Sequence, residues 1–345
     1  MRIILNLFFF ALSQPLMAYE WRALSLQNGC AVTLNEGLVK SYPGQICLFL
    51  DDGTFISTSE KGLRRFNRDQ TTMWELTGQF HHQVNLSPDK KRVLALSSEV
   101  VKRGNLVERD DLLLILDVET GKTIHRRNAR EIVKDGKFIP PRWGNNRLLK
   151  AVNATLETSH FNSIYEVPKN KGETKASYLK AGNIIANSSG VGTVILSPDL
   201  RETLYFQPNP ESYSHQVHDV QVSSTGEFLL FNNLVYDPTL NYAYSSINKY
   251  DPVKNKTTFK YTAEAKALFF SAACGGVQEL DDDTLFFSHI VNGGFLYSRK
   301  QKKILHAFQG RNGNRLDIVP TQQLKLINFR SFLDNSSKEA LPKLN

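Results

Sequence analysis

Three histidines recur at one point of a repeating pattern. His82 opens His82-Gln83-Val84-Asn85-Leu86, His160 opens His160-Phe161-Asn162-Ser163-Ile164, and His218 opens His218-Asp219-Val220-Gln221-Val222. Gly275 stands at the matching point of Gly275-Gly276-Val277-Gln278-Glu279-Leu280. The chain holds 8 histidines, and residues scattered at random do not fall in phase this way. Imidazoles meeting at one place can attack an electrophile, move protons, hold an anion or ligate a metal. Zinc takes three imidazoles, but no H-x-H or H-x-x-x-H pair and no in-phase carboxylate accompanies these, so no metal is expected. His81, His125, His215, His289 and His306 fall out of phase and read as hydrogen-bonded structural side chains. Cys274 reads as a packed thiol, and Asp281-Asp282-Asp283 as a solvated hairpin turn rather than a calcium ligand set.

The elements that must bring these residues together are short strands. Amphipathic helical periodicity is almost absent. Runs of Val, Ile, Phe, Tyr and Leu recur instead, bounded by Asp, Gly, Asn and Pro turns. In one copy the His82 strand leads through Ser87-Pro88-Asp89 to Arg92–Leu96, then Leu112–Leu116, Glu119-Thr120-Gly121-Lys122 and Thr123-Ile124-His125. The same grammar runs from His218 to Tyr261 and from Gly276 to His306, and less regularly over Ile46–Leu76 and His160–Phe206. Four-stranded units repeating at roughly 40–55 residues are the signature of propeller blades. The expectation is an all-β, six-bladed β-propeller, with seven blades as the alternative, spanning residues 19–345 as a single domain. The tail Leu316–Phe329 is too short for a blade, and pairing with a strand around Ala31-Val32-Thr33 would close the ring and remove open sheet edges. The strand opening each blade lies beside the central axis, so His82, His160 and His218 should face one another across it. The stretch from Glu131 to Thr158 reads as an insertion or an extra partial blade.

Composition narrows the function. The 345 residues are 41% hydrophobic and 22% charged, ordinary values that exclude global disorder. The formal net charge of +8 is spread in short clusters such as Lys90-Lys91-Arg92, Arg126-Arg127 and Lys302-Lys303. A nucleic-acid binder concentrates such charge on one element, so no nucleic-acid partner is expected, and a positive field favours small anions. Met1-Arg2, the apolar run Ile3–Leu12 and Pro15-Leu16-Met17-Ala18 read as a signal peptide over residues 1–18, too short to span a bilayer. Export to the periplasm or beyond, without stable membrane insertion, follows. In an oxidising compartment Cys30 and Cys47 could pair, or remain two buried thiols. Neither G-x-G-x-x-G nor a P-loop occurs, so no nucleotide cofactor is expected.

The stretch from about His81 to Ala307 resembles the bacterial arylsulfotransferase family of exported β-propellers, as a divergent member. His82-Gln83-Val84-Asn85-Leu86 is similar to the family's first H-x-φ-x-φ segment, and His160-Phe161-Asn162-Ser163-Ile164 to its H-x-N-S-[VI] motif. Gln216-Val217-His218-Asp219-Val220 with Leu229–Asn233 resembles its Q-H-D segment and L-F-D-N strand, and Gly275–Leu280 its G-s-x-Q-x-L segment. The resemblance covers about two thirds of the chain beyond the leader. It implies transfer of a sulfuryl group from an aryl sulfate donor to a phenolic acceptor, with no cofactor and without phosphoadenosine-phosphosulfate. It implies that His218 is the nucleophile, and that His160 and His82 bind sulfate oxygens or move protons. Asn162, Asp219, Gly275 and Gln278, which stand in the matching motifs, would bind substrate. The chain departs from the family at Asn187-Ser188-Ser189-Gly190, where the family carries an Arg, and at Asn233, where it carries Asp. The alternative to an enzyme is a non-catalytic propeller binding a small anion or a protein partner.

Overall fold

The computed structural model describes residues 22–25, 30–34, 37–44, 46–59, 61–103, 106–135, 156–157, 159–188, 192–208, 217–237, 242–262, 275–289, 293–308 and 316–319. The expected leader 1–18, His215 and Cys274 lie outside them. Strands β1 (Arg22–Ser25), β2 (Cys30–Leu34) and β3 (Gly37–Tyr42) come first. Blade one is β4 (Cys47–Phe49), β5 (Phe55–Ser59), β6 (Gly62–Phe66) and β7 (Thr72–Thr77). Blade two is β8 (Gln79–Leu86), β9 (Arg92–Arg103), β10 (Leu106–Asp117) and β11 (Thr123–Asn128), followed by helix α1 (Ala129–Asp135) and β12 (Leu156–Glu157). Blade three is β13 (Phe161–Glu166), β14 (Ile184–Ser188), β15 (Gly192–Leu196) and β16 (Thr203–Pro208). Blade four is β17 (Val217–Val222), β18 (Phe228–Asp237), β19 (Tyr242–Asp251) and β20 (Lys256–Tyr261). Blade five is β21 (Gly276–Glu279), β22 (Thr284–His289), β23 (Gly293–Ser298) and β24 (Lys303–Phe308), and the last strand is β25 (Leu316–Val319).

The expected all-β propeller of four-stranded antiparallel blades is present, but with five blades rather than six or seven. The five are the five repeats legible in the sequence, each an unbroken meander. The difference arises at the chain ends. β25 pairs with β1 in a further four-stranded sheet ordered β25-β1-β2-β3, which is built from two distant pieces of chain and not from one repeat. In the Glu131–Thr158 region, α1 lays Ala129 and Ile132 into the apolar layer between blades two and three, and β12 runs parallel to β10. No described helix is long and apolar enough to cross a membrane.

Local chemistry sets the meanders. Ser87-Pro88-Asp89-Lys90 reverses the chain between β8 and β9, with Lys90 N–H donating to the Ser87 carbonyl at 2.9 Å and Lys90 at φ +60°. Ser197-Pro198-Asp199-Leu200 repeats this between β15 and β16, with Leu200 at φ +64°. Ser223–Gly226 does so between β17 and β18, where a glycine takes the left-handed residue at no steric cost. In the first two turns the serine hydroxyl donates to the aspartate two residues on, at 2.5 and 2.6 Å.

Burial grades from middle to outer strands. β14 and β15 are buried along their whole length, whereas β7 and β20 are mostly exposed. Strands covered on both faces read as continuous apolar runs, as Val93–Leu96 and Leu112–Leu116 do. The apolar layers therefore lie between sheets. Leu94, Leu96, Leu113 and Ile115 of blade two pack on Phe161, Ile164, Ile184 and Ala186 of blade three. Val217, Val220 and Phe228 of blade four pack on Ile185 and Ile195 of blade three. Charged clasps bridge the same joints. Buried Arg65 of blade one reaches Glu119 beyond β10 at 2.7 Å, Arg92 reaches Glu166 at 2.9 Å, and Lys249 reaches Glu279 at 2.6 Å. Cys47 is disulfide-bonded, and the side chain of Cys30, its expected partner, lies outside the described set.

Candidate functional site

The three histidines meet. The His82 ring centroid stands 4.8 Å from that of His160, edge-on, and 5.6 Å from that of His218. Each comes from the opening of the first strand of a consecutive blade, and each is partly exposed. The pairing register breaks at this point in all three blades, between Phe80 and Val84, between Phe161 and Ser163, and between Val217 and Asp219. Such bulges re-aim side chains beside active sites. His82 and His160 moreover lie in the left-handed region, at φ +57° and +53°, and Gly275 at φ +111°. A non-glycine residue held there costs about 1–3 kcal/mol, and such strain gathers at functional sites.

Gly275 enters the site through its carbonyl, which lies 3.0 Å from His218 Nδ1. A carbonyl only accepts, so Nδ1 carries the proton and His218 Nε2 keeps its lone pair. A Cβ on Gly275 would stand 2.7 Å from the Phe231 ring, so only glycine brings this carbonyl so close. Asn162 is 2% exposed beside His160, and its Oδ1 has no hydrogen-bond partner. Gln278 is half-buried on β21, paired with Phe286. Asp219 is engaged through both carboxylate oxygens. Its carboxylate accepts from Gln83 Nε2 at 3.1 Å, Tyr165 Oη at 2.9 Å and the Val277 N–H at 3.0 Å. Gln83 also accepts the Ile164 N–H at 2.9 Å, and Gln221 Nε2 donates to the Val277 carbonyl. This belt joins the first strands of blades two to five.

Three further residues belong to the cluster that in-phase reasoning passes over. His81, expected to be structural, has its Nδ1 2.7 Å from His82 Nδ1. Its Nε2 lies 3.2 Å from both the Ser97 carbonyl and Asp111 Oδ1. Asp111 is fully buried and also accepts from the Phe161 N–H at 2.7 Å and Ser159 Oγ at 3.1 Å. Arg109, two residues earlier on β10, donates from Nε to Ser98 Oγ at 2.9 Å.

The electrostatics follow. Burial, then the positive charges that His81, His218, His160 and Arg109 can present, hold the His82 imidazolium well below its ordinary 6.5. Burial alone would raise Asp111, but the His81 contact, the Phe161 N–H and the positive charges that His81 and His160 can present outweigh it and hold its carboxyl below the usual range. His82 is thus neutral and Asp111 ionised at pH 7. Among the described residues no group of three or more His, Cys, Asp or Glu has metal-binding geometry. The Asp281 carboxylate accepts the Asp283 and Thr284 N–H groups, each at 2.7 Å, as a turn does.

No family profile matches the sequence, and no curated protein matches it. Among solved structures, the chain is similar to a protein of unknown function from Bacteroides caccae, at 13% identity and TM-score 0.56, covering 87% of this chain and 99% of that one. Sqt1 of Saccharomyces cerevisiae aligns at 10% identity and TM-score 0.46, covering 85% and 82% of the two chains. At 13% identity the first of these likenesses speaks to the fold alone.

Proposed function

We propose that this protein transfers a sulfuryl group from an aryl sulfate to a phenol through a sulfo-histidine at His218. The observation that carries this reading is the His218 Nδ1 bond to the Gly275 carbonyl at 3.0 Å, which leaves Nε2 nucleophilic in a group of imidazoles. In the first half, Nε2 attacks sulfur. The S–N bond forms as the aryl S–O bond breaks, and the phenolate leaves with the bonding pair. In the second half, the acceptor phenol loses its proton to a neighbouring imidazole and attacks the same sulfur. The S–N pair then returns to Nε2. Dividing one hard step into two easier ones is the benefit of a covalent intermediate.

The family's Arg is absent at Asn187–Gly190. We assign its part to Arg109, which is held at Ser98 Oγ at 2.9 Å on β10 and contributes positive charge at His82. A cation facing the sulfuryl oxygens is worth roughly 10²–10³ in rate. The disulfide at Cys47 and the leader-like N-terminus support a periplasmic or secreted location.

Incubation with 4-nitrophenyl sulfate tests the proposal. Nitrophenolate should appear at a rate set by added phenol, with ping-pong kinetics, and His218→Ala should remove at least 10³-fold of it. Thermal stabilisation by sulfate with no turnover would overturn it in favour of an anion-binding propeller.

A further inference from the structure

We propose that Asp111, His81 and His82 form a carboxylate–imidazole–imidazole relay that fixes the lone pair of His82 on Nε2 and makes it the proton acceptor of the site. His81 and Asp111 are positioning residues in this scheme. The argument starts at the buried end. His81 Nε2 makes its hydrogen bond to the Ser97 carbonyl at 3.2 Å, with the Asp111 Oδ1 charge alongside at 3.2 Å, and neither oxygen can donate. Nε2 therefore carries the proton. In a neutral His81, Nδ1 is then an acceptor, and the 2.7 Å contact requires His82 Nδ1 to donate. That leaves His82 Nε2 unprotonated, on a ring 4.8 Å from His160 and 5.6 Å from His218.

The competing arrangement makes His81 an imidazolium paired with Asp111, donating from both nitrogens. The charges on neighbouring elements oppose it. Asp111 is already engaged by Ser159 Oγ and the Phe161 N–H. Arg109 lies two residues away on the same face of β10 and supplies a positive charge felt at His82, while His160, just before β13, and His218, on β17, face the His82 ring. A second cation at His81 would sit among like charges.

The relay has a role in the proposed transfer, and in that respect it rests on that reading. The acceptor hydroxyl gives its proton to His82 Nε2 as its oxygen bonds to sulfur, and the S–N pair returns to His218. The imidazolium formed at His82 is stabilised through His81 by the Asp111 carboxylate, and its proton then passes to water or to a departing phenolate.

Long-range ¹H–¹⁵N spectra of the full chain labelled at histidine, recorded at pH 7.5, read the tautomers directly. The expected result is a protonated Nδ1 and a pyridine-like Nε2 on His82, and the reverse on His81. Asp111→Asn removes the carboxylate charge while the Ser97 carbonyl still holds the proton on His81 Nε2, so the tautomers should persist and the His82 imidazolium should lose its counter-charge. The substitution should slow the acceptor half-reaction by about 10²-fold or more while sparing the first release of nitrophenolate. A wild-type His82 protonated on Nε2, a doubly protonated His81, or an acceptor half-reaction untouched by Asp111→Asn would overturn the relay. If Asp111→Asn fails to fold, the wild-type spectrum alone decides. The predicted tautomers in a protein without sulfuryl transfer would keep the relay and remove the transferase reading.

Discussion

A histidine that its surroundings hold neutral makes folding stability depend on pH, and His82 allows that dependence to be isolated. Its imidazolium is held well below 6.5 in the folded chain, chiefly by burial and then by the charges around it. In the unfolded chain it binds a proton near its ordinary value of about 6.5. Between those two values the unfolded state holds one more proton than the folded state. Stability then rises with pH, and it falls as the medium is acidified from 6.5 downward. One proton corresponds to about 1.4 kcal/mol for each pH unit. Acidification below 6.5 therefore removes stability through this residue, at a slope that approaches about 1.4 kcal/mol per pH unit until the depressed folded-state value is reached. His82→Asn is the suitable perturbation, because asparagine tolerates the φ of +57° but does not titrate. Urea unfolding of both proteins from pH 5.0 to 7.5 gives two stability curves. Their difference should be nearly constant above pH 7 and should move in favour of the variant by about 1.4 kcal/mol per unit below 6.5. Parallel curves over the whole range would refute the reasoning, since they would mean that His82 takes up its proton equally in both states.

Two other perturbations test the frame of the site. Gly275→Ala places a Cβ 2.7 Å from the Phe231 ring at φ +111°. Chemical denaturation should show a loss of about 2–4 kcal/mol, and a loss below about 0.5 kcal/mol would show that the carbonyl facing His218 is not held this tightly. Lys249→Met strands Glu279, which is 12% exposed and otherwise holds the Ser224 N–H at 2.9 Å and Arg299 at 3.4 Å. It should cost about 3 kcal/mol, most of it recovered in Lys249→Met/Glu279→Leu. Lys249, the Ser224 N–H and Arg299 outweigh burial and hold the Glu279 carboxyl below 4.5. The pair's contribution is thus present above 4.5 and disappears as pH falls through the depressed value. A single variant whose deficit grows on acidification would contradict this.

Much of this arrangement was legible before any coordinates. The Ser-Pro-Asp turns at Ser87 and Ser197 fix where strands reverse through hydrogen bonds within four residues, so local sequence carries them. The phase of His82, His160 and His218 is likewise a repeat property, and the blades turn that phase into contact. Blade number was not legible, because the sheet β25-β1-β2-β3 joins strands from opposite ends of the chain and no local signal counts it. The partners of His82 were hidden for a related reason. His81 is adjacent in sequence, yet in a regular strand it would point away, and the bulge between Phe80 and Val84 brings it in. Asp111 falls outside the in-phase positions, and it is the pairing of β10 that sets it opposite Ser98 and buries it. A faint signal existed, since Asp111 directly precedes the apolar run Leu112–Leu116. Arg109 had none, because its approach depends on the length of the β9–β10 hairpin. The hydrogen bonds of the Asp219 carboxylate to blades two, three and five had no local signal, because they join residues far apart in sequence.

Two histidines in backbone conformations that favour glycine set chemistry against durability. Glycine at positions 82 and 160 would relax the chain and also discard the imidazoles. Selection for robustness alone would therefore erase the cluster, and drift would soon find the way. A lineage that keeps both rings is being held there by something other than its fold. Relatives in which this cluster serves no purpose should be recognisable by a sturdier and emptier hub.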